Sequence, residues 1–236
     1  GASTSFAGGK SWLEVTGNYQ PLAKQLTANV KSTNLAVKRY LHLAQVTFPF
    51  NVNDFPVHDM NINVSHTKGA LEAGGELTLG AFTLQNETQS LTLKSLALKQ
   101  AAFGLIDGEV QFTGHILADD LNISSKDDAY AAQAVDIQVD QWTSHGDIIT
   151  AAASLHAMKA QVQIPEKLAF KGDARLDNLK LVRNLKNWSA EGAAQLFNSL
   201  LAVGTTVHVS GDFTTPAMAV AVSPEATAVQ GNLFAD

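Results

Sequence analysis

Val135-Asp136-Ile137-Gln138-Val139-Asp140 alternates apolar with polar residues over six consecutive positions. A period of two puts every apolar side chain on one side of an extended chain, so the stretch reads as a β-strand with one buried face. The pattern recurs outward from it. Met60-Asn61-Ile62-Asn63-Val64, Glu76-Leu77-Thr78-Leu79, Leu91-Thr92-Leu93-Lys94 and Val110-Gln111-Phe112 precede it, and Val207-His208-Val209-Ser210-Gly211-Asp212-Phe213 and Met218-Ala219-Val220-Ala221-Val222 follow. Strands this frequent, joined by short polar connections, predict an antiparallel meander rather than βαβ units.

The expected fold class is therefore mainly β, an elongated curved antiparallel sheet or a β-roll or sandwich, with two short helices. Leu77, Leu79, Leu91, Leu93, Val110, Phe112, Val135, Ile137 and Val139 occupy the apolar phase and are expected to share one inward face, as a groove or a core. Thr214-Thr215-Pro216 is expected to supply a turn or bend between the last two strands. Asn34 caps a predicted short helix reaching about Val46. Ser189 starts a second, in which Ala193, Leu196, Phe197, Leu200 and Leu201 make an apolar stripe that Gly204 ends. This second helix is expected to cap one end of the sheet. Gly75-Glu76-Leu77-Thr78-Leu79-Gly80 echoes Gly108-Glu109-Val110-Gln111-Phe112-Thr113-Gly114, the kind of repetition an elongating sheet needs. No Pro-, Gly- or Ser-rich linker divides the chain, so residues 1–236 read as one domain, with a soft boundary near Ile164-Pro165 where Pro interrupts pairing.

Composition excludes several function classes. The chain has 236 residues and no Cys, so a disulfide framework, thiolate metal sites and a cysteine nucleophile are all ruled out. Charged residues make up 16%, low against about 25% for an ordinary soluble domain. Neutral polar side chains must cover much of the surface, as on many β-rich envelope proteins. The net charge is −6, without a cluster of Lys or Arg. Nucleic-acid binding is accordingly not expected. No apolar run approaches the roughly 20 residues a spanning helix needs. A leading Gly before a polar stretch is what a cloning remnant leaves, so the expectation is a fragment of a longer protein, with any membrane anchor outside these residues.

No catalytic or metal-binding motif assembles. Phe6-Ala7-Gly8-Gly9-Lys10-Ser11 resembles the end of a phosphate-binding loop, but Thr4 stands where that motif needs its first Gly. Asp120, Asn122 and Ser124 begin like a calcium loop, yet Ser125 replaces the turn glycine and Ala131 the bidentate acid. The acidic stretch Asp119 to Asp128 reads as a solvated turn. The seven histidines are scattered, none at the i, i+2 or i, i+4 spacing that builds a ligand set from one element. There is no Gly-x-Ser-x-Gly elbow and no His-Glu-x-x-His. The expectation is a non-enzymatic domain with neither cofactor nor metal.

Lys31-Ser32-Thr33-Asn34-Leu35-Ala36-Val37-Lys38-Arg39-Tyr40-Leu41, then Phe48-Pro49-Phe50-Asn51-Val52, then the strands at Met60 and Gly75, form an order that resembles the AsmA-like proteins of the Gram-negative envelope. Val207 to Val222, with Gly211 and Pro216, is similar to the strand pattern in which such domains finish. The resemblance implies the periplasmic part of an inner-membrane-anchored protein, whose curved sheet holds lipid acyl chains on an apolar concave face. It implies a role in phospholipid traffic or outer-membrane integrity, and it carries no catalytic residues. The alternating pattern serves equally a sandwich-type, adhesin-like module that binds a protein or glycan through polar strand faces. Periodicity says which residues face inward, not whether side chains or a ligand fill the interior.

Overall fold

The computed structural model describes residues 2–8, 11–36, 51–52, 56–204, 207–232 and 234–235. The described chain is one antiparallel, open, curved sheet of 17 strands. They are β1 (Ala2–Gly8), β2 (Ser11–Gln20), β3 (Gln25–Ala36), β4 (Asn51–Val52), β5 (Pro56–Thr67), β6 (Ala70–Leu79), β7 (Phe82–Gln85), β8 (Ser90–Leu93) and β9 (Ser95–Ile106). The longer strands follow: β10 (Glu109–Ser124), β11 (Ala129–His145), β12 (Ile148–Ile164), β13 (Leu168–Asn184), β14 (Asn187–Val203) and β15 (Val207–Val222), with β16 (Thr227–Gly231) and β17 (Phe234–Ala235) closing the chain.

Side by side, the strands run β1, β2, β3, β5, β6, β9, β10 and then in chain order to β15, whose far edge takes β16 and β17. A small flap, β4, β7 and β8, joins the end of β10. Tight hairpins make the order. Asp107 and Gly108 form a two-residue loop in which both carry positive φ, 49° and 81°, the turn whose twist matches the flanking strands. Pro165 lies in the hairpin between β12 and β13, which pair from Ile164 and Leu168 onward.

Two rows of bulges break β12 to β15 into three segments each, and the first row continues through β11, β10, β9 and β6. One row crosses the sheet near Gly75, Gly114, Asp140, Asn178 and Gly192; the other passes through Lys159, Gly172, Asn198 and Gly211. A bulge adds a residue to one strand and bends it, and aligned bulges bend the sheet as a whole. The middle segment spans about six residues, or about 20 Å. The bulged amides do not go unpaired: Lys159 N–H donates to Asp173 Oδ1 at 2.6 Å, and Asn198 N–H to Asp212 Oδ1 at 2.7 Å.

The special backbone positions recur at a fixed interval. Gly69 and Gly108, Gly75 and Gly114, Gly172 and Gly211, and the series Asp120, Lys159, Asn198 are all 39 residues apart and all have positive φ. The structural unit is therefore a 39-residue hairpin. The echo visible in the sequence aligns Gly75 with Gly108, whereas the backbone aligns Gly75 with Gly114, because Gly108 is a turn and Gly75 and Gly114 are bulges.

The two expected helices are not supported. Ser189 to Val203, with Leu196, Phe197, Leu200 and Leu201, lies within β14. Leu196 pairs with Phe213 and Leu201 with Val209, while Asn198, at φ 48°, is the extra residue between them. That insertion moves the buried phase from Leu196 to Ser199 and Leu201, and a step of three within a period-two strand imitates helical spacing. Phe197 and Leu200 stand on the opposite face, 37% and 50% exposed. For the first helix, Asn34, Leu35 and Ala36 belong to β3, and positions 37–46 lie outside the described residues. Thr214-Thr215-Pro216 separates no strands; it is the bulged bend inside β15. The acidic stretch is mostly strand: Asp119 to Ser124 complete β10, and only Ser125 to Asp128 turn.

No second layer covers the sheet among the described residues, since the contacts between elements follow hydrogen-bonded neighbours. The sandwich and roll alternatives are thus replaced by an open sheet. The chain exposes 15314 Å², against about 10,000 Å² for a compact monomer of 25.0 kDa.

Candidate functional site

The apolar phase forms continuous rows that run across the strands. Leu77, Leu98, Ile116, Ile137, Leu155, Leu176 and Ala194 are successive cross-strand partners, as are Leu79, Leu96, Ala118, Val135, Ala157, Ala174, Leu196 and Phe213. Direct partners in antiparallel strands point the same way, so each row is a ridge on a single face. These two rows floor the bend. Ala118, Ala132, Val135, Ala157 and Ala160 pack there as one buried cluster. A second cluster, Val57, Leu79, Phe82 and Leu93 with Leu77 and Leu91 against it, fills the corner beneath the flap.

Of the expected face residues, Leu77, Leu79, Val135 and Ile137 stand in these two rows, and Leu91 and Leu93 in the corner cluster. Val110 pairs with Leu105, Phe112 with both Phe103 and Trp142, and Val139 with Ala153; Leu91 opposes Ile123. Leu196 and Leu201, read as part of a cap helix, belong to the same face, and Phe197 and Leu200 do not. At about 4.8 Å per strand, the thirteen strands from β1 to β16 give the face a contour of about 60 Å.

Its few polar groups are mostly self-satisfied. Ser199 Oγ donates to the Gly211 carbonyl at 2.7 Å and Thr215 Oγ1 to the Ala217 carbonyl at 3.2 Å. Large apolar side chains remain partly open along one rim, where Tyr19, Leu26, Leu105, Trp188 and Val222 are more than a third exposed.

The opposite face is polar and hydrogen-bonded. Asn29 Nδ2 donates to Asn61 and Asn63, Ser95 Oγ donates to Asp119, His115 meets Asp136, and Arg175 pairs with Asp177 at 2.9 Å. A depression of about 780 Å³ is on this side. It is lined by two neighbouring polar-phase rows, among them Asn29, Asn63, Gly104 and Gln111, together with Val64, Phe103 and Phe112 of the row between them. Small residues there leave a shallow space without a convergent set of functional groups. No group of three His, Asp or Glu residues placed to hold a metal occurs among the described residues.

No family model matches the chain, and no curated protein or solved structure matches it either.

Proposed function

We propose that this chain is a non-enzymatic lipid-handling domain of the bacterial envelope, which takes acyl chains along the apolar face of its curved sheet. The single observation that carries the proposal is the uncovered apolar face itself, about 60 Å in contour and without a covering layer among the described residues. Contiguous apolar surface of this extent marks a binding site. Its chemistry selects the ligand class. A peptide or glycan brings polar groups that need partners when desolvated, and the floor rows offer hydrocarbon instead. An acyl chain needs no partners and gains about 0.8 kcal/mol for each methylene buried.

The order of segments that resembles the AsmA-like proteins supports the same reading: a periplasmic domain of an inner-membrane-anchored protein, serving phospholipid traffic or outer-membrane integrity. Native mass spectrometry after gentle extraction from a Gram-negative host tests it. The expected spectrum carries adducts of glycerophospholipid mass that organic extraction removes. A folded protein free of lipid adducts would overturn the proposal and favour the interaction module that binds protein or glycan.

A further inference from the structure

The rim of the apolar face carries one anomaly. Its outermost row runs through Tyr19, Leu26, His66, Leu71, Leu105, Val110, Ser144 and Ile149, then Arg183, Trp188 and Val222. Arg183 is the one Lys or Arg of a strand that falls on this phase among the described residues. In the 39-residue repeat its place is held by Leu105 and Ser144, so the hairpin architecture has no need of a cation there.

The side chain is held in a defined pose. Arg183 Cζ lies 5.1 Å from the centroid of the Trp188 ring, its direct cross-strand partner, and Nε–H donates to the Leu185 carbonyl at 3.1 Å. Both contacts fix the plane of the guanidinium and leave its terminal N–H donors for another acceptor. The other described arginine, Arg175, pairs with Asp177 on the polar face. No carboxylate of the described residues lies within ion-pair distance of Arg183.

We propose that Arg183, braced by Trp188, binds the phosphate of a glycerophospholipid at the rim while the acyl chains lie along the adjoining apolar rows. The assignment rests on the lipid reading above. A planar guanidinium with free terminal donors matches two phosphate oxygens. Trp is at home where an apolar phase meets water. The row immediately inward, Trp142, Ala151, Leu181 and Ala190, continues in hydrocarbon toward the floor, so headgroup and chains would meet complementary chemistry in the correct order.

The test compares two ligands with identical acyl chains, phosphatidylglycerol and diacylglycerol, each presented in mixed micelles to wild type, Arg183→Gln and Arg183→Lys, with free glycerol phosphate as a third ligand. Wild type is expected to hold phosphatidylglycerol about tenfold more tightly than diacylglycerol, the scale of one charge-assisted contact. Arg183→Gln should lose that preference and keep its affinity for diacylglycerol, which also shows that the variant is folded; Arg183→Lys should retain part of it. If both lipids bind equally to wild type and variant alike, the headgroup site is refuted and the apolar lane stands. Binding of neither lipid would refute the lane itself, and the site with it. Binding of glycerol phosphate as tight as that of the lipid would refute the lipid assignment in favour of a plain anion site.

Discussion

Gly75→Ala is expected to lower unfolding free energy by about 3 kcal/mol, the upper range for forcing a side chain into a disallowed backbone site. Gly75 sits in the bulge row of β6 with φ 149°. A Cβ there would overlap the Asn61 carbonyl oxygen and lie 3.0 Å from Ile62 Cα. Both are backbone atoms of β5, which cannot rotate away, so relief requires β5 and β6 to separate at the fold line. Gly108→Ala provides the control. Gly108 also has positive φ, at 81°, but nothing lies within 4 Å of its added Cβ, so that variant should lose only about 1 kcal/mol to backbone conformation. Denaturant midpoints of the two variants check the difference. Equal losses would mean that the bulge does not bring the strands as close as described.

Val135→Asp is expected to destabilise the protein by about 3 kcal/mol or more near neutral pH, through an unpaired charge placed in hydrocarbon. Val135 is 8% exposed and packs with Ala118 and Ala157 on the floor of the bend. Desolvation would raise the folded-state pKa of the new carboxyl above its unfolded value of about 3.9. The penalty is then complete above the raised folded pKa, shrinks as pH falls through it, and has gone below about 3.9. Thermal melts across that range should show the deficit relative to wild type narrowing on acidification. A deficit independent of pH would place Val135 in water rather than in the apolar lane.

The floor of the sheet was legible because its segments run several residues without a bulge. Leu77 and Leu79, or Val135, Ile137 and Val139, keep strict alternation over the middle segment, and period two reports the face directly. The bends were not legible as bends. Where an extra residue shifts the phase, as at Asn198, apolar positions step by three, and the text of a bulged strand becomes that of a helix turn. A signal was present nonetheless: Gly172-Asp173 and Gly211-Asp212 each pair a residue suited to an open φ with a carboxylate that accepts a bulged amide, and they stand one repeat apart. The 39-residue period stayed hidden because, apart from its glycines, it is kept in backbone conformation rather than in residue type. Asp120, Lys159 and Asn198 share a positive φ and no chemistry. Arg183 is not legible in the sequence for a related reason. A lone arginine carries no motif, and its distinction lies in the phase it occupies and in Trp188 across the turn, neither of which spacing alone displays.

The central claim is that lipid lies on one face of the sheet and not on the other. A photo-crosslinking side chain at Leu155, on the floor of the apolar face, compared with one at Leu200, on the polar face, tests this directly in cells of a Gram-negative host. Irradiation followed by mass analysis is predicted to give phospholipid adducts at position 155 and none at 200. Lipid adducts at both positions alike, or none at 155, would contradict the account.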